Sequence, residues 1–272
     1  MDKPYKIDCH IHSTFSPDGH SSLEEIIESA YKCGLSEITV TEHCECNNND
    51  AIPPEEPQWE MLDFENYAKT LEALRKKAPL RVNIGIELGQ ATQGTETAET
   101  ALKAYDWDFV IGSLHNVVGE YDFYYLKYDG VDIKKLFTEY FEQLYETAKL
   151  DNFSVLGHLY YPVRYIYRQG LTLDISPYDE MIAEIFRLII KNGKGIEINT
   201  SGLFSEFGGL IPELKYAKMY RELGGEIVTV GSDAHYAERV GRGVDEAYEM
   251  LREAGFKSVT VFHGKKPESY AI

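Results

Sequence analysis

Apolar residues along this chain fall into two alternating rhythms. Runs in which every second or nearly every position is apolar predict strands at Tyr5–His12, Glu37–Glu42, Arg81–Leu88, Phe109–His115, Ser154–His158, Gly195–Asn199 and Glu226–Ser232, with an eighth at Ser258–Phe262. Between them the period lengthens. Ser22–Lys32 sets Leu23, Ile26, Ile27 and Ala30 on one helical face, and Asp63–Lys77, Ile133–Leu150, Asp179–Asn192, Glu213–Leu223 and Asp245–Ala254 show comparable spacing. Glycine follows three of these helices, at Gly34, Gly193 and Gly224, where a left-handed residue ends a helix.

Seven or eight strand–helix repeats imply a parallel sheet, closed or open. No Gly/Ser-rich or Pro-rich break interrupts the pattern, so residues 1–272 are expected to form a single domain, most simply one (β/α) barrel. An open doubly wound sheet is the alternative. No G-x-G-x-x-G follows the first strand, which disfavours a dinucleotide fold.

Ligand-type side chains fall at the ends of these strands. His10 and His12 close the first strand; being two apart, they face one side of it. Asp18 sits in the loop beyond. Glu42-His43 closes the second strand, Glu87 the third, His115 the fourth and His158 the fifth. The sixth ends in "EINTSG" and the seventh in Asp233-Ala234-His235. Six of the eight histidines therefore stand at the carboxyl ends of parallel strands, where barrels build their sites. A single histidine so placed is usually structural. Six of them, interleaved with carboxylates, would leave buried charges and donors unpaired unless cations sit among them. Imidazole with carboxylate suits divalent Zn, Mn or Fe better than Ca or Mg. Nine candidate ligands exceed what one zinc takes, so two or three ions are expected to share them, bridged by a carboxylate such as Glu87.

Composition adds a constraint. The formal charge is −18, which argues against nucleic acid as a partner. It also requires a local reversal of field if the substrate is an anion. Three divalent ions would bring +6 against −3 from Asp18, Glu87 and Asp233, making an anion trap in an acidic protein. A phosphate ester is the natural guest, and a metal-acidified water its natural nucleophile. Cys9, Cys33, Cys44 and Cys46 give no disulfide framework; Cys44 and Cys46 could mark a thiolate site beside His43, but C-x-C without a second pair fits incidental thiols better. No apolar run suits a membrane span and no signal-type leader is visible, so a cytoplasmic enzyme with no membrane partner is expected.

Taken in order, H-x-H, T-E-H, Glu87, S-x-H, G-H and the terminal "GSDAH" resemble the polymerase and histidinol phosphatase (PHP) superfamily over residues 5 to about 262. The stretch from "GIEINTSG" onward is similar to its histidinol-phosphatase branch. The resemblance implies a distorted (β/α)7 TIM-like barrel with a trinuclear centre. One ion would be held by His10, His12, Glu87 and Asp233, a second by Glu87, His115 and His158, a third by Asp18, His43 and His235. It also implies hydrolysis of L-histidinol phosphate to L-histidinol and phosphate, in histidine biosynthesis.

One departure stands out: such relatives often carry a basic residue after "NTSGL", where this chain has Phe204-Ser205. Another phosphate ester or a nucleotide is therefore the alternative substrate. Arg164 is the candidate phosphate clamp, since guanidinium suits bidentate phosphate contacts, with Arg168, Arg239 and Arg242 behind it. Asn199, with Thr200 and Ser201, is expected either at the substrate or in a turn at the strand end. Asp233, or a water on the metals, is expected to protonate the leaving alkoxide. The tyrosines of "EYDFYYLKY" and "YYPVRYIYR" could wall an imidazole pocket or simply pack. Glu42 could support a ligating histidine or cap a helix, and Asp8 and His20 stay outside the ligand set.

Overall fold

The structure, a computed structural model, describes residues 5–47 and 50–272. Seven parallel strands pair in chain order: β1 (Ile7–Asp8), β2 (Glu37–Glu45), β3 (Arg81–Gly89), β4 (Phe109–Ser113), β5 (Val155–Leu156), β6 (Gly195–Asn199) and β7 (Val228–Gly231). The sheet closes on itself beyond β1. Cys9 N donates to Val230 O, Asp233 N to His10 O and His12 N to Ala234 O, each at 2.8 Å. The result is a distorted seven-stranded TIM-like barrel, as expected from the strand–helix repeats.

The helices are α1 (Leu23–Lys32), α2 (Phe64–Arg75), α3 (Thr95–Ala104), α4 (Ile133–Ala148), α5 (Val163–Arg168), α6 (Asp179–Lys191), α7 (Leu214–Glu222) and α8 (Val244–Glu253). α1 starts where Ser22 and Glu25 form a reciprocal capping box, and its buried stripe is Leu23, Ile26, Ile27 and Ala30. Gly34, Gly193 and Gly224 all take positive φ after their helices. α3 was not visible in the sequence, because its buried face is only Ala98 and Ala101. α5 is too short for periodicity to reveal.

Several strand expectations need correction. β1 and β5 shrink to two residues each, so His10, His12 and His158 lie in the loops just beyond them. β2 runs on to Glu45, which places His43 inside the strand rather than at its end. The eighth strand does not join the barrel. β8 (Ser258–His263) turns through Gly264-Lys265, both at positive φ, into antiparallel β9 (Lys266–Ala271). This hairpin covers the amino end of the barrel, where Lys265 N bonds Asp108 O and Thr260 Oγ1 meets Val228 N.

Neighbouring strands align a polar column inside the barrel. Glu37, Thr39, Thr41, His43 and Glu45 share one face of β2, and the register sets His43 beside Glu87 and Glu45 beside Gly89 on β3. Ile38, Val40, Ile84 and Ile86 take the opposite face and are fully buried, in the direction of the helices. Among the described residues, no helix is long and apolar enough to cross a membrane.

Candidate metal centre

The nine donors expected from the sequence converge at the carboxyl ends of the strands. His10 Nε2 lies 3.3 Å from Glu87 Oε2 and 3.7 Å from Asp233 Oδ1, and His12 Nε2 is 3.5 Å from both oxygens. The other oxygen of Glu87 meets His115 Nε2 at 3.2 Å and His158 Nε2 at 2.9 Å. Asp18 Oδ2 is 3.0 Å from His235 Nε2 and 3.6 Å from His43 Nε2. His43 turns its Nδ1 to Glu87 Oε2 at 3.0 Å. The donors make one continuous cluster, with His43 and Glu87 at its crossing points. Ligand-sized groups within it also combine as His12–His43–His235 and His43–Glu87–His115.

The chemistry of this cluster asks for cations. His10 Nε2, His12 Nε2, Asp18 Oδ1, His43 Nδ1 and Glu87 Oε2 are buried without a hydrogen bond. Buried acceptors and imidazole nitrogens facing one another at these distances are costly unless a positive ion lies between them. The set fits divalent metal, and no cysteine belongs to the candidate groups; Cys44 and Cys46 are buried free thiols.

Electrostatics within the bare protein follow from the same crowding. Burial opposes ionisation of Glu87, but the facing His10, His115 and His43 hold its carboxyl well below the ordinary range. His12 is pushed down to about 3 by burial and by His43 and His235, so its ring is neutral at pH 7. Burial also disfavours a charged His115, yet Glu45 and Glu87 lift it to about 10. Glu197 and Glu87 raise His10 well above the usual histidine value in the same way.

A second layer orients the ligands, and the sequence did not disclose most of it. Glu197 Oε1 accepts from His10 Nδ1 at 2.6 Å, fixing the ring so that Nε2 faces the centre, while its Oε2 accepts from His158 N at 2.7 Å. Glu45 Oε1 stands 2.9 Å from His115 Nδ1. The missed signal was glycine inside a strand, which marks a close approach. A Cβ on Gly231 would overlap Glu197 Oε1 and His10 Cβ, and one on Gly89 would overlap the Glu45 carboxylate.

Glu42 proves to be a supporting residue. It points away from the His43 face and accepts from Ser13 and from Ser16 Oγ at 2.5 Å, and Ser16 Oγ is 3.3 Å from His12 Nδ1. Asp8 is fully buried and binds Ser232 N, Gly241 N and His10 N, bracing the loop that carries Asp233. That aspartate takes a left-handed backbone, φ 55°, a conformation costing about 1–3 kcal/mol for a non-glycine residue.

A cavity of about 510 Å³ opens over the cluster. Arg164 lines it, with Nη1 bonded to Asp233 Oδ2 at 2.9 Å and to Ser201 Oγ, and with its guanidinium over the Tyr161 and Tyr165 rings. Asn199, expected at the substrate, is fully buried instead. Its amide nitrogen binds Glu197 and Asp233, its oxygen binds Ser201, and Ser201 is the residue on the cavity wall. Arg239 reaches the wall over the Tyr236 ring. Arg168 is occupied with Tyr124 O, and Arg242 lies over the exposed Phe204 ring at 3.5 Å. His20 stacks on Tyr236 at the rim, outside the ligand cluster.

A barrel whose mouth gathers buried imidazoles and carboxylates in one shared donor cluster defines a class of metal-dependent enzymes. Comparison with known proteins places the chain within it. The PHP domain matches residues 8–201. A protein named probable histidinol-phosphatase from Thermotoga maritima is 30% identical over 260 residues, 96% of this chain and 97% of its own. Histidinol-phosphatase from Lactococcus lactis is 28% identical, covering 96% of both chains. The crystal structure of histidinol phosphate phosphatase from Lactococcus lactis with zinc, L-histidinol and phosphate superposes with a TM-score of 0.80 at 25% identity, covering 97% of this chain and 99% of that one. The chain belongs to the PHP domain family.

Proposed function

We propose that this protein is a metal-dependent phosphomonoesterase that hydrolyses L-histidinol phosphate to L-histidinol and phosphate, serving histidine biosynthesis. The observation that carries this reading is the convergence of six histidines and three carboxylates, with His10 Nε2, His12 Nε2, His43 Nδ1, Asp18 Oδ1 and Glu87 Oε2 buried there without a hydrogen bond. The full-length similarity to histidinol-phosphatases, one of them bound to zinc, L-histidinol and phosphate, supports the substrate.

The centre would hold three divalent ions, drawn from Zn, Mn and Fe. His10, His12, Glu87 and Asp233 would hold one, Glu87, His115 and His158 a second, and Asp18, His43 and His235 a third. Bound there, such ions supply positive charge to a phosphate and lower the pKa of water. The protein's own residues do the rest. Arg164, braced on Asp233 and stacked on Tyr161 and Tyr165, offers its remaining N–H groups to the phosphate oxygens. Ser201 and the buried Asn199 lock that guanidinium and the Asp233 carboxylate in place. Burial alone would raise Asp233, but His10 and Arg164 hold it ionised. It therefore serves as ligand and anchor rather than as the proton donor to the leaving alkoxide.

Phe204 favours a second reading, a phosphoesterase for another small ester, since the basic residue common at that place is absent and Arg242 is tied to the ring. Steady-state phosphate release from L-histidinol phosphate beside phenyl phosphate, after loading with zinc or manganese, separates the two. A preference of several orders of magnitude supports the biosynthetic role; equal slow rates on both defeat it.

A further inference from the structure

The carboxylates around the cavity are of two kinds. Asp18, Glu87 and Asp233 each face imidazoles, and Asp233 also faces Arg164. Asp122 lines the same cavity and forms no ion pair among the described residues, though His115 lies near enough to favour its charged form. Its Oδ1 accepts from Tyr124 N at 2.7 Å and from the Tyr161 hydroxyl at 3.1 Å. Its Oδ2 has no partner among the described residues, and no Lys or Arg pairs with it there. Burial pushes this carboxyl up to about 6. An anion held in such surroundings is costly until a cation arrives beside it.

Tyr161 fixes where that cation must come from. Its ring packs against His115 and His158, with centroids 4.7 and 4.9 Å away, and Arg164 stands 4.9 Å over the same ring. Its hydroxyl, accepting from Tyr165 at 2.9 Å, donates to Asp122. One phenol therefore separates the phosphate end of the cavity from a free carboxylate oxygen. Trp59 and Tyr125 supply further aromatic wall, surroundings that favour a flat or cationic group.

We propose that Asp122 receives the organic cation of the substrate, an ammonium or a protonated imidazole, and so makes this site selective for phosphate esters that carry one. The inference rests on the phosphomonoesterase reading of the same site and adds the residue that sets its preference. A purely local role competes with it: the Asp122–Tyr124 bond is a turn of the kind aspartate and asparagine both form. That role employs Oδ1 alone, and asparagine would fill it equally well.

The test compares zinc-loaded wild type, Asp122→Asn and Asp122→Glu on L-histidinol phosphate, its counterpart lacking the amino group, and phenyl phosphate. In Asp122→Asn the ratio of kcat/KM for L-histidinol phosphate over phenyl phosphate should fall about 10- to 100-fold, the worth of a hydrogen bond to a charged group. The loss should lie in KM, with zinc content retained, and Asp122→Glu should recover part of the ratio. If the deamino ester loses as much, the imidazole is the cation held; if it is insensitive, the ammonium is. An unchanged ratio, or an equal fall on phenyl phosphate, overturns the proposal. Calorimetric binding of L-histidinol against imidazolylpropanol probes the same subsite without turnover. A wild type inactive on every ester would defeat the catalytic reading alone, whereas equal binding of L-histidinol by wild type and Asp122→Asn would defeat this one.

Discussion

Strand β2 carries a buried carboxylate at the start of its inward face and reaches the metal-ligand cluster at its other end. At the amino end, Glu37 is fully buried, and the protein satisfies it completely. Its Oε1 takes Asn83 Nδ2 at 2.5 Å and His263 Nε2 at 2.6 Å, and its Oε2 takes the Tyr5 hydroxyl at 2.6 Å. Six residues on, His43 enters a cluster in which buried nitrogens and oxygens face one another unpaired. Both ends juxtapose histidine and carboxylate. What distinguishes them is the remainder: at one end both Glu37 oxygens take donors and His263 Nδ1 turns to the exposed Glu268 at 2.9 Å, while at the other several buried atoms face one another and are left over for a ligand. Histidine beside glutamate is therefore no sign of a metal; histidine beside glutamate with nothing else to bond is.

The contrast is broken most severely at Glu87, whose two oxygens touch His10, His12, His43, His115 and His158. Glu87→Gln should strip bound metal and lower kcat/KM by on the order of 10³-fold or more, since several kcal/mol of charge stabilisation goes with the ions. Phosphate release and metal analysis check it; full metal content with near-normal turnover would remove Glu87 from the centre.

The supporting carboxylates come next. Glu197→Gln weakens the hold on His10 and should cost about 10- to 100-fold in metal affinity. Competition with a chelator measures this, and an unaltered affinity would make Glu197 merely a packing residue. Gly231→Ala drives a methyl into the same contact and should destabilise the fold by about 1–3 kcal/mol in urea, losing metal affinity alongside.

Protons occupy in the bare protein what the ions claim in the loaded one. His10 and His43 are held above the ordinary histidine value and His115 at about 10, mainly because facing carboxylates outweigh burial. Metal loading at neutral pH should therefore release protons, and affinity should fall as pH is lowered. Calorimetry in buffers of different ionisation enthalpy reads this, and a buffer-independent heat would contradict it.

The smallest effect belongs to the satisfied end. His263→Ala should cost about 1–2 kcal/mol of stability, by leaving Glu37 short of a partner, without changing turnover. Burial opposes a charged His263, but Glu268 and Glu37 raise it above its unfolded value near 6.5. Its contribution is thus complete below that value and fades as pH rises through the folded one. The stability gap between wild type and variant should narrow toward alkaline pH; a gap that widens would reverse the assignment.

How much of this was legible depended on what each residue shows in one dimension. His10, His12, His43, His115, His158, Glu87 and Asp233 were readable, because strand ends can be placed from apolar runs and a barrel gathers those ends. Glu45 and Glu197 were not, since a carboxylate in a strand reads as an ordinary polar residue until its partner across the barrel is known. Asn199 was half visible: its position at a strand end could be read, but not that Glu197, Asp233 and Ser201 use its amide. The β8–β9 hairpin shows a further limit. Ser258–His263 has the apolar rhythm of a barrel strand, and only the Gly264-Lys265 turn sends it elsewhere.

The seam between β1 and β7 has a consequence for how the protein is made. Asp8 and Ser232, bonded across it, are 224 residues apart in the chain. On a translating ribosome, His10 and His12 emerge first and wait through nearly the whole of synthesis for Asp233 and His235. Until the seam forms, the early pair is a weak and open chelator, because a finished site does not exist in the unfolded chain. Prematurely terminated products, lacking Asp233 and His235, are therefore expected to bind little metal.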